Sequence, residues 1–266
     1  MTSLPPHYPL ILVTPVSRYW RYPGVVSRVA HEQSADTSSA RPYRGVEPAE
    51  RLAVRRRQLL AAGLDVLGAD EHDIAELTVR GICRRAGLSA RYFYESFADK
   101  DELVSGVFDW VIAELVTTTQ AAVAAVPPHE QSRAGMANIV RTVAEDARIG
   151  RLLFSTKLAN AVIMRKRAES SALFAMLSGQ HAVDSLRAPA NDRVKAGAHF
   201  AVGGVGQTIS AWLAGDVRMA PDEFADHLAS LLDELTKPSL YTGDTVTAAA
   251  AAATAAAPDR PTPGPD

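Results

Sequence analysis

The chain has 266 residues, of which 47% are hydrophobic and 22% are charged, so it can bury a sizeable core and is not globally disordered. Its formal net charge of −2 excludes a uniformly basic protein that coats nucleic acid, although clustered arginines can still form a local basic patch. The single cysteine, Cys83, excludes a disulfide framework and a cysteine-clustered zinc site.

The two ends of the chain lack sustained hydrophobic periodicity. Residues 1–47 mix prolines with a polar stretch, which predicts a flexible N-terminal extension; a start codon assigned too early is an alternative explanation. Residues 237–266 contain an alanine tract without an apolar stripe, followed by several prolines, which favours a disordered tail.

Targeting and membrane segments are not predicted. The apolar run at residues 10–13 is shorter than the roughly seven to fifteen residues of a signal-peptide core. No stretch approaches the roughly 20 consecutive apolar residues of a membrane helix. We therefore expect a soluble, cytoplasmic protein.

Helical periodicity runs through residues 48–236 and predicts an all-α fold. The first helix is predicted at 51–67, and a short helix at 79–85 is capped by Thr78 and ends before Gly87. Another short helix opens after Ser89. A long helix begins at Asp99 and Glu102, which have the spacing of a capping box, and ends at two prolines. The remaining helices are predicted at residues 133–149, 151–167, 170–187, 192–214 and 222–235.

Residues 78–97 have the spacing of a helix-turn-helix. Gly87 permits the tight turn, and the apolar side chains of Ile82 and Phe93 can fix the two short helices against the first one. The second short helix is then free to enter a DNA major groove with its N-terminal residues leading.

Arginines gather in the same region, whereas most of its acidic residues lie on either side of the motif, at residues 70–76 and 99–102. A charge distribution that is neutral in total but polarised in space favours phosphate contact on one face. The clustered arginines are Arg51, Arg55, Arg56, Arg57, Arg80, Arg84, Arg85 and Arg91.

From about residue 51 to residue 104 the sequence resembles the DNA-binding domain of the TetR/AcrR family of transcriptional regulators. The segments that carry the resemblance are Thr78-Val79-Arg80, Ala86-Gly87-Leu88-Ser89, Phe93-Tyr94, Phe97 and Lys100-Asp101-Glu102-Leu103. The resemblance implies a three-helix DNA-binding domain at 48–100 and a helical ligand-binding and dimerisation domain at 101–236. Residues 209–235 resemble, more weakly, the last two helices of many members.

The resemblance also implies which residues contact DNA. Thr78, Arg80 and Lys100 would contact phosphates, and Arg91 is a candidate for a bidentate contact to guanine. The residues of the recognition helix expected at the DNA are Ser89, Ala90, Arg91, Tyr92 and Tyr94. The sequence departs from the usual family pattern at Ala90, Arg91, Tyr92 and Glu95, so the operator sequence does not follow from the resemblance.

In the family, the central helices surround a small-molecule pocket and the last two helices form a four-helix bundle with a second subunit. The candidate pocket residues are Phe108, Trp110, Phe154, Met164, Phe174 and Met176, with plain core packing as the alternative for each. The candidate dimer-interface residues are Val202, Gly206, Ile209, Phe224, Leu228 and Leu231.

These expectations combine into a homodimeric regulator, favoured as a repressor, that leaves a palindromic operator when a small-molecule effector binds. The alternatives are a regulator or activator without ligand control, and an all-α interaction module or helical enzyme. No catalytic signature is present, and no cofactor is predicted. The seven histidines are dispersed, although a metal site assembled in space from His181 and His199 stays open.

Overall fold

The computed structural model describes residues 48–69, 77–158, 160–186, 191–237 and 240–241. Within these residues the chain forms α-helices and no strand, which confirms the all-α prediction. A short 3-10 helix, Pro128–Glu130, joins the fourth and fifth helices. The helices are α1 Pro48–Leu67, α2 Val79–Ala86, α3 Ala90–Tyr94, α4 Lys100–Ala124, α5 Gln131–Glu145, α6 Ala147–Phe154, α7 Ala161–Leu186, α8 Asp192–Ala214 and α9 Pro221–Glu234. The predicted N-terminal extension and nearly all of the predicted tail lie outside the described residues.

Three helix predictions in the middle of the chain are wrong in their boundaries. The chain leaves the helix before residue 147 and again between residues 154 and 161, so the predicted helices 133–149, 151–167 and 170–187 are replaced by α5, α6 and α7. Side-chain caps cause both breaks. The Asp146 carboxylate accepts a hydrogen bond from the backbone N–H of Arg148 (3.0 Å) and opens α6. The Asn160 side-chain oxygen accepts from Val162 N (3.0 Å) at the start of α7.

The helix-turn-helix is fixed by fully buried apolar side chains. Ile82 from α2, Phe93 from α3 and Phe97 after it pack against α1 and α4. Gly87 has a φ of 68°, the left-handed conformation that closes the tight turn after α2. Cys83 is buried in the same core, and burial raises the pKa of its thiol. Cys83 therefore packs in the core as a small apolar side chain.

A capping arrangement fixes the beginning of α4. The Asp99 carboxylate accepts from the backbone N–H of Glu102 (2.8 Å), while the Glu102 carboxylate accepts from the backbone N–H of Ala98 (2.6 Å). Two backbone donors at the helix start are thereby satisfied by the two side chains, as the sequence spacing predicted. The exposed side chain of Lys100 is consequently held at the first turn of α4.

Helix α4 connects the two halves of the structure. Among the described helices it alone has the length and apolar composition of a membrane span. Its Leu103 and Val107 are fully buried in a hydrophobic core that continues from α1 to α7, and it also packs against α5. The core helix of a soluble protein passes the same length and composition test, so packing accounts for its apolar character.

The remaining core lies between α5, α8 and α9. Met136 of α5, Ile209 of α8 and Phe224 of α9 are fully buried together. The ring of Trp212 stacks on that of Phe224, with centroids 4.9 Å apart and planes 11° apart. Helix α9 is therefore held to the body of the domain by its inward face.

The described structure continues past residue 236, the predicted end of the helical domain. Tyr241 is only 2% exposed, and its hydroxyl donates to the carbonyl of Leu235 (2.5 Å). The side-chain amide of Asn191 donates to the Tyr241 carbonyl (3.1 Å), and the ring lies against Gly197. Burial raises the pKa of the Tyr241 hydroxyl. Tyr241 thus packs on the first turns of α8.

Candidate DNA interface and internal cavity

The recognition helix α3 is one and a half turns long and is anchored by a single side chain. Phe93 is fully buried and contacts the ring of Phe97, with centroids 5.8 Å apart. Ser89 lies at the N-cap without a side-chain capping bond, so its hydroxyl is not used to close the helix. Of the eight expected DNA contacts, seven have exposed side chains and only Tyr92 is half-buried: Thr78, Arg80, Ser89, Ala90, Arg91, Tyr94 and Lys100.

Glu95 joins the recognition helix to α1 through two arginines. Its carboxylate lies 3.1 Å from Arg91 Nε and 3.2 Å from Arg55 Nη2. The Arg91 side chain is 84% exposed despite this pair. Arg55 also lies over the Tyr92 ring, 4.3 Å from its centroid. The ring of Tyr92 therefore faces α1, and Arg91 is held beside a carboxylate in the absence of DNA.

The arginines of α1 divide between structural and solvent-facing positions. Arg56 donates from Nη1 to the carbonyl of Ser96 (2.5 Å) and lies 4.1 Å from the centroid of the Phe97 ring. It therefore stabilises the turn after α3. Arg51 and Arg57 are exposed. Thr78, expected at a phosphate, accepts a hydrogen bond from Gly81 N (3.0 Å) and caps α2.

A partly open cavity of about 410 Å³ lies among α4, α5, α6, α7 and α8. This volume falls within the range of about 300–1,000 Å³ that small-molecule sites occupy. Three of the six candidate pocket residues line it, namely Phe108, Phe154 and Phe174. Two polar residues that sequence reasoning missed, Gln120 and Gln207, also line it.

The other three candidate pocket residues lie elsewhere. Met164 and Met176 are 60% and 55% exposed, because both lie on the outer face of α7. Trp110 is half-buried and packs against the core between α1 and α7 without lining the cavity. Residue size and apolarity identified them as candidates, but the helix face decides whether a side chain reaches the cavity.

Arg167 of α7 lines the cavity and was not predicted. Its guanidinium donates to the carbonyl oxygens of Arg151, Leu152 and Ser155 at the C-terminal end of α6, over 2.6–3.0 Å. Burial lowers the pKa of this guanidinium. No periodicity signal could have identified it, because its partners are backbone atoms 12–16 residues away.

Helix α6 also contacts the DNA-binding domain. Arg151 Nη1 donates to the carbonyl of Gly68 at the end of α1 (2.6 Å), and Arg148 forms an ion pair with Asp65. A side chain at Gly68 would meet Arg148 at 2.3 Å from its Cβ and 2.6 Å from its Cα, so the two helices approach too closely for one. One short helix thereby touches both the cavity and α1.

Three of the six candidate dimer-interface residues are buried within the chain. Ile209 and Phe224 are fully buried and Leu228 is 2% exposed, because they form the core between α5, α8 and α9. Val202 and Gly206 are half-buried and line the cavity. Leu231 is 49% exposed.

The outer face of α8 has a different character. Phe200 is 69% exposed, and Gly203 and Gly204 follow it one turn later; Gly203 also lines the cavity. A Cβ atom added at either glycine meets no atom within 4 Å, so packing within the chain does not require glycine there. This face combines a large exposed apolar side chain with a smooth backbone surface.

The geometry defines an all-α protein with an N-terminal helix-turn-helix and a C-terminal helical domain that contains a partly open cavity. Residues 59–107 match the family model described as "Bacterial regulatory proteins, tetR family". The helix-turn-helix segment of this chain is therefore similar to the DNA-binding segment of the tetR family, as the sequence resemblance predicted.

A curated relative agrees with the match to the tetR-family model. The chain is 36% identical over 95 residues to the HTH-type transcriptional regulator BetI of Stenotrophomonas maltophilia (strain R551-3). That alignment covers 35% of this chain and 45% of the relative, so less than half of the relative is matched.

Two solved structures share the fold. A TetR-like transcriptional regulator from Rhodococcus sp. RHA1 superposes with a TM-score of 0.50 at 21% identity, covering 72% of this chain and 98% of that one. The fatty acid degradation regulator FadR from Bacillus halodurans gives a TM-score of 0.52 at 16% identity, covering 67% and 94%. At these identities the likeness concerns the fold alone.

Proposed function

We propose that the protein is a homodimeric transcriptional repressor that leaves its operator DNA when a small molecule enters the cavity. The observation that carries the proposal is a helix-turn-helix similar to the tetR family, whose recognition helix exposes Arg91 and Tyr94. Helix α6 joins this unit to a domain that contains a partly open cavity. The cavity favours ligand control over the alternative of a constitutive regulator. The similar proteins are transcriptional regulators, and we assign no catalytic role. Such a regulator acts in the cytoplasm.

In this proposal the exposed residues at the start of α3 enter the major groove. Arg91 reads a base edge after exchanging its contact with Glu95 for one with DNA, and Tyr94 donates to a phosphate. Lys100 and Arg80 bind phosphates, and the α4 N-terminus adds its positive dipole end. Tyr92 supports Arg55 and makes no base contact.

Control by a ligand requires a physical connection between the cavity and the recognition helix. Helix α6 supplies one, because its C-terminal carbonyls bind Arg167 and its other face binds Asp65 and the Gly68 carbonyl of α1. A ligand that prefers a different position of α6 shifts the population toward that position. The affinity for DNA then falls by the difference in ligand-binding free energy between the two states.

Dimerisation follows from the geometry of DNA recognition. Two recognition helices that occupy successive major grooves must lie about 34–36 Å apart, which a two-fold dimer on a palindromic site achieves. The outer face of α8, with Phe200 and Gly204, and Leu231 of α9 supply the apolar surface for a second copy. The open space around Gly204 supports this choice, since small residues let two helices approach closely.

The test is a salt titration of binding to DNA from upstream of the gene, compared with scrambled DNA of equal length. We expect the wild-type protein to prefer the upstream DNA and to show a steep salt dependence. The double variant Arg91→Ala/Tyr94→Ala should lose at least about tenfold in affinity for the preferred DNA, the effect of one good base contact of about 1–3 kcal/mol.

The matched control is Arg165→Ala, which removes an exposed arginine of α7 outside the proposed interface. It should bind like the wild type. Equal, weak binding of both DNAs by folded wild-type protein would overturn the proposal.

A further inference from the structure

We propose that the cavity ligand is an amphiphilic monocarboxylate, whose carboxylate binds Arg167 and whose apolar body lies against Phe108, Phe154 and Phe174. As the identity of the effector, this inference rests on the proposed function. As a binding site, it rests on the charge and shape of the cavity alone.

The first observation is the charge of the cavity wall. Among the described residues, Arg167 is the only charged one that lines the cavity, and no carboxylate of these residues forms an ion pair with it. The neighbouring Lys166 is paired with Asp109 (2.6 Å), and neither of these two residues lines the cavity. The cavity therefore carries one uncompensated positive charge in a mostly apolar wall. Arg167 is half-buried, and partial burial of a charge without an anion carries a desolvation cost.

The second observation is the hydrogen-bonding capacity that Arg167 retains. A guanidinium group has five N–H donors. Nε donates to Leu152, Nη2 donates to both Arg151 and Leu152, and Nη1 donates to Ser155. These four bonds fix the plane of the guanidinium and leave one N–H of Nη1 for a further acceptor. The carbonyl partners orient the cation but do not neutralise it.

Hydroxyl groups next to this cation can complete the site. Ser170 and Ser171 follow Arg167 by three and four residues on α7, so they lie on the same helix face, and both line the cavity. Thr156 lines it as well. A carboxylate has two acceptor oxygens, one for the remaining N–H of Arg167 and one for a hydroxyl.

The rest of the wall selects the body of the ligand. Aromatic and aliphatic side chains from five helices surround the cavity, and a single cation balances a single negative charge. Phosphate monoesters and dicarboxylates would bury a second negative charge without a partner. A monocarboxylate with a hydrocarbon chain or ring system satisfies both the charge and the apolar surface.

The experiment measures binding of octanoate, dodecanoate and hexadecanoate to the wild-type full-length protein by calorimetry and thermal unfolding. All ligands are kept below their micelle-forming concentrations. Each acid is compared with its primary alcohol and its methyl ester, which keep the hydrocarbon chain and remove the charge. We expect at least one acid to bind, and its neutral partners to bind at least about tenfold more weakly, as for the loss of a hydrogen bond to a charged group.

Variants of Arg167 locate the charge dependence. Arg167→Lys should retain a preference for acid over alcohol, whereas Arg167→Met should lose it. Arg165→Met, two residues earlier on the exposed face of α7, is the matched control and should keep the wild-type preference. Because Arg167 also caps α6, the wild-type comparison of acid with alcohol decides the inference if an Arg167 variant fails to fold.

The outcomes separate this inference from the proposed function. Equal binding of acid and alcohol, or no binding of any acid by a wild-type protein that binds its operator, would overturn the inference and leave the regulator in place. Acid binding that depends on Arg167, without operator binding, would support the site and overturn the regulator.

Discussion

At the scale of single residues, the contact between Arg91 and Glu95 restrains the arginine that we propose reads a base edge. The i,i+4 spacing of the two residues is visible in the sequence, so this pair was predictable in principle. The second partner of Glu95 was not, because Arg55 lies 40 residues away and is brought there only by the packing of α1 against α3. The same packing turns Tyr92 toward α1, which spacing alone could not reveal.

Replacing Glu95 with glutamine should strengthen binding to DNA. The substitution preserves the size of the side chain, removes a negative charge near the phosphates and weakens the restraint on Arg91 and Arg55. Exposed ion pairs contribute about 0.2–1 kcal/mol, so we expect DNA affinity to rise about 1.5- to fivefold. Fluorescence anisotropy at several salt concentrations measures the change.

Glu114→Gln is the control for this charge effect, since Glu114 is exposed on α4 about 21 Å along the helix from Lys100. It should leave binding unchanged. Weaker binding by Glu95→Gln would contradict the prediction and show that the carboxylate holds Arg91 in its DNA-binding orientation.

At the scale of helices, α6 shows where hydrophobic periodicity stops being informative. The apolar stripe continues across residues 146 and 155–160, and no proline or glycine marks either break. The breaks are made by the caps Asp146 and Asn160, which are short polar residues of a kind that also occurs inside helices. Helix α8, in contrast, was predicted with its observed limits because Asn191 and Gly215 flank a long uninterrupted pattern.

The Asp146 cap should make stability depend on pH. The side-chain hydrogen bond from Arg148 holds the pKa of Asp146 below its usual range. A carboxylate with a lowered folded-state pKa stabilises the fold above its unfolded pKa of about 3.9, and this contribution is lost as the pH falls through the folded value. Asp146→Asn retains a capping oxygen but loses the charge.

We therefore expect Asp146→Asn to be less stable than the wild type at neutral pH, with a difference that shrinks on acidification below about pH 4. Urea unfolding midpoints measured across this range test the prediction. Asp101→Asn, which alters an exposed carboxylate in the first turn of α4, serves as the control. A difference that stays constant with pH would show that the charge of Asp146 does not contribute.

At the scale of the whole molecule, the sequence did not predict which apolar residues form the core and which are exposed to a partner. Ile209, Phe224 and Leu228 lie on regular apolar stripes, and a stripe of this kind predicts burial without saying against what. The all-α architecture and the helix-turn-helix were predictable, because they depend on local spacing and caps. The residues of the cavity wall were predictable only in part. The wall combines side chains from five helices, and no pattern in a single sequence fixes how these helices are rotated relative to one another.

Gly204→Leu tests whether a second copy packs on α8. The position is open in the single chain, and leucine is a better helix former than glycine by up to about 0.8 kcal/mol, so the fold itself should not be destabilised. In a close helix-to-helix contact, however, the added side chain would force the two copies apart. We expect a shift from dimer to monomer in sedimentation velocity and weaker binding to a palindromic DNA site.

Ala121→Leu adds the same side chain to an exposed position of α4 and should leave the dimer intact. An unchanged dimer in the Gly204→Leu variant would move the interface away from this face.

The packing of Tyr241 has a practical consequence for how the chain can be shortened. Its ring packs against Gly197, and the side-chain amide of Asn191, at the start of α8, donates to its backbone carbonyl. A version cut after residue 236 would keep all nine described α-helices but lose both contacts. The useful site for truncation, or for attaching a fluorescent label, therefore lies beyond residue 241.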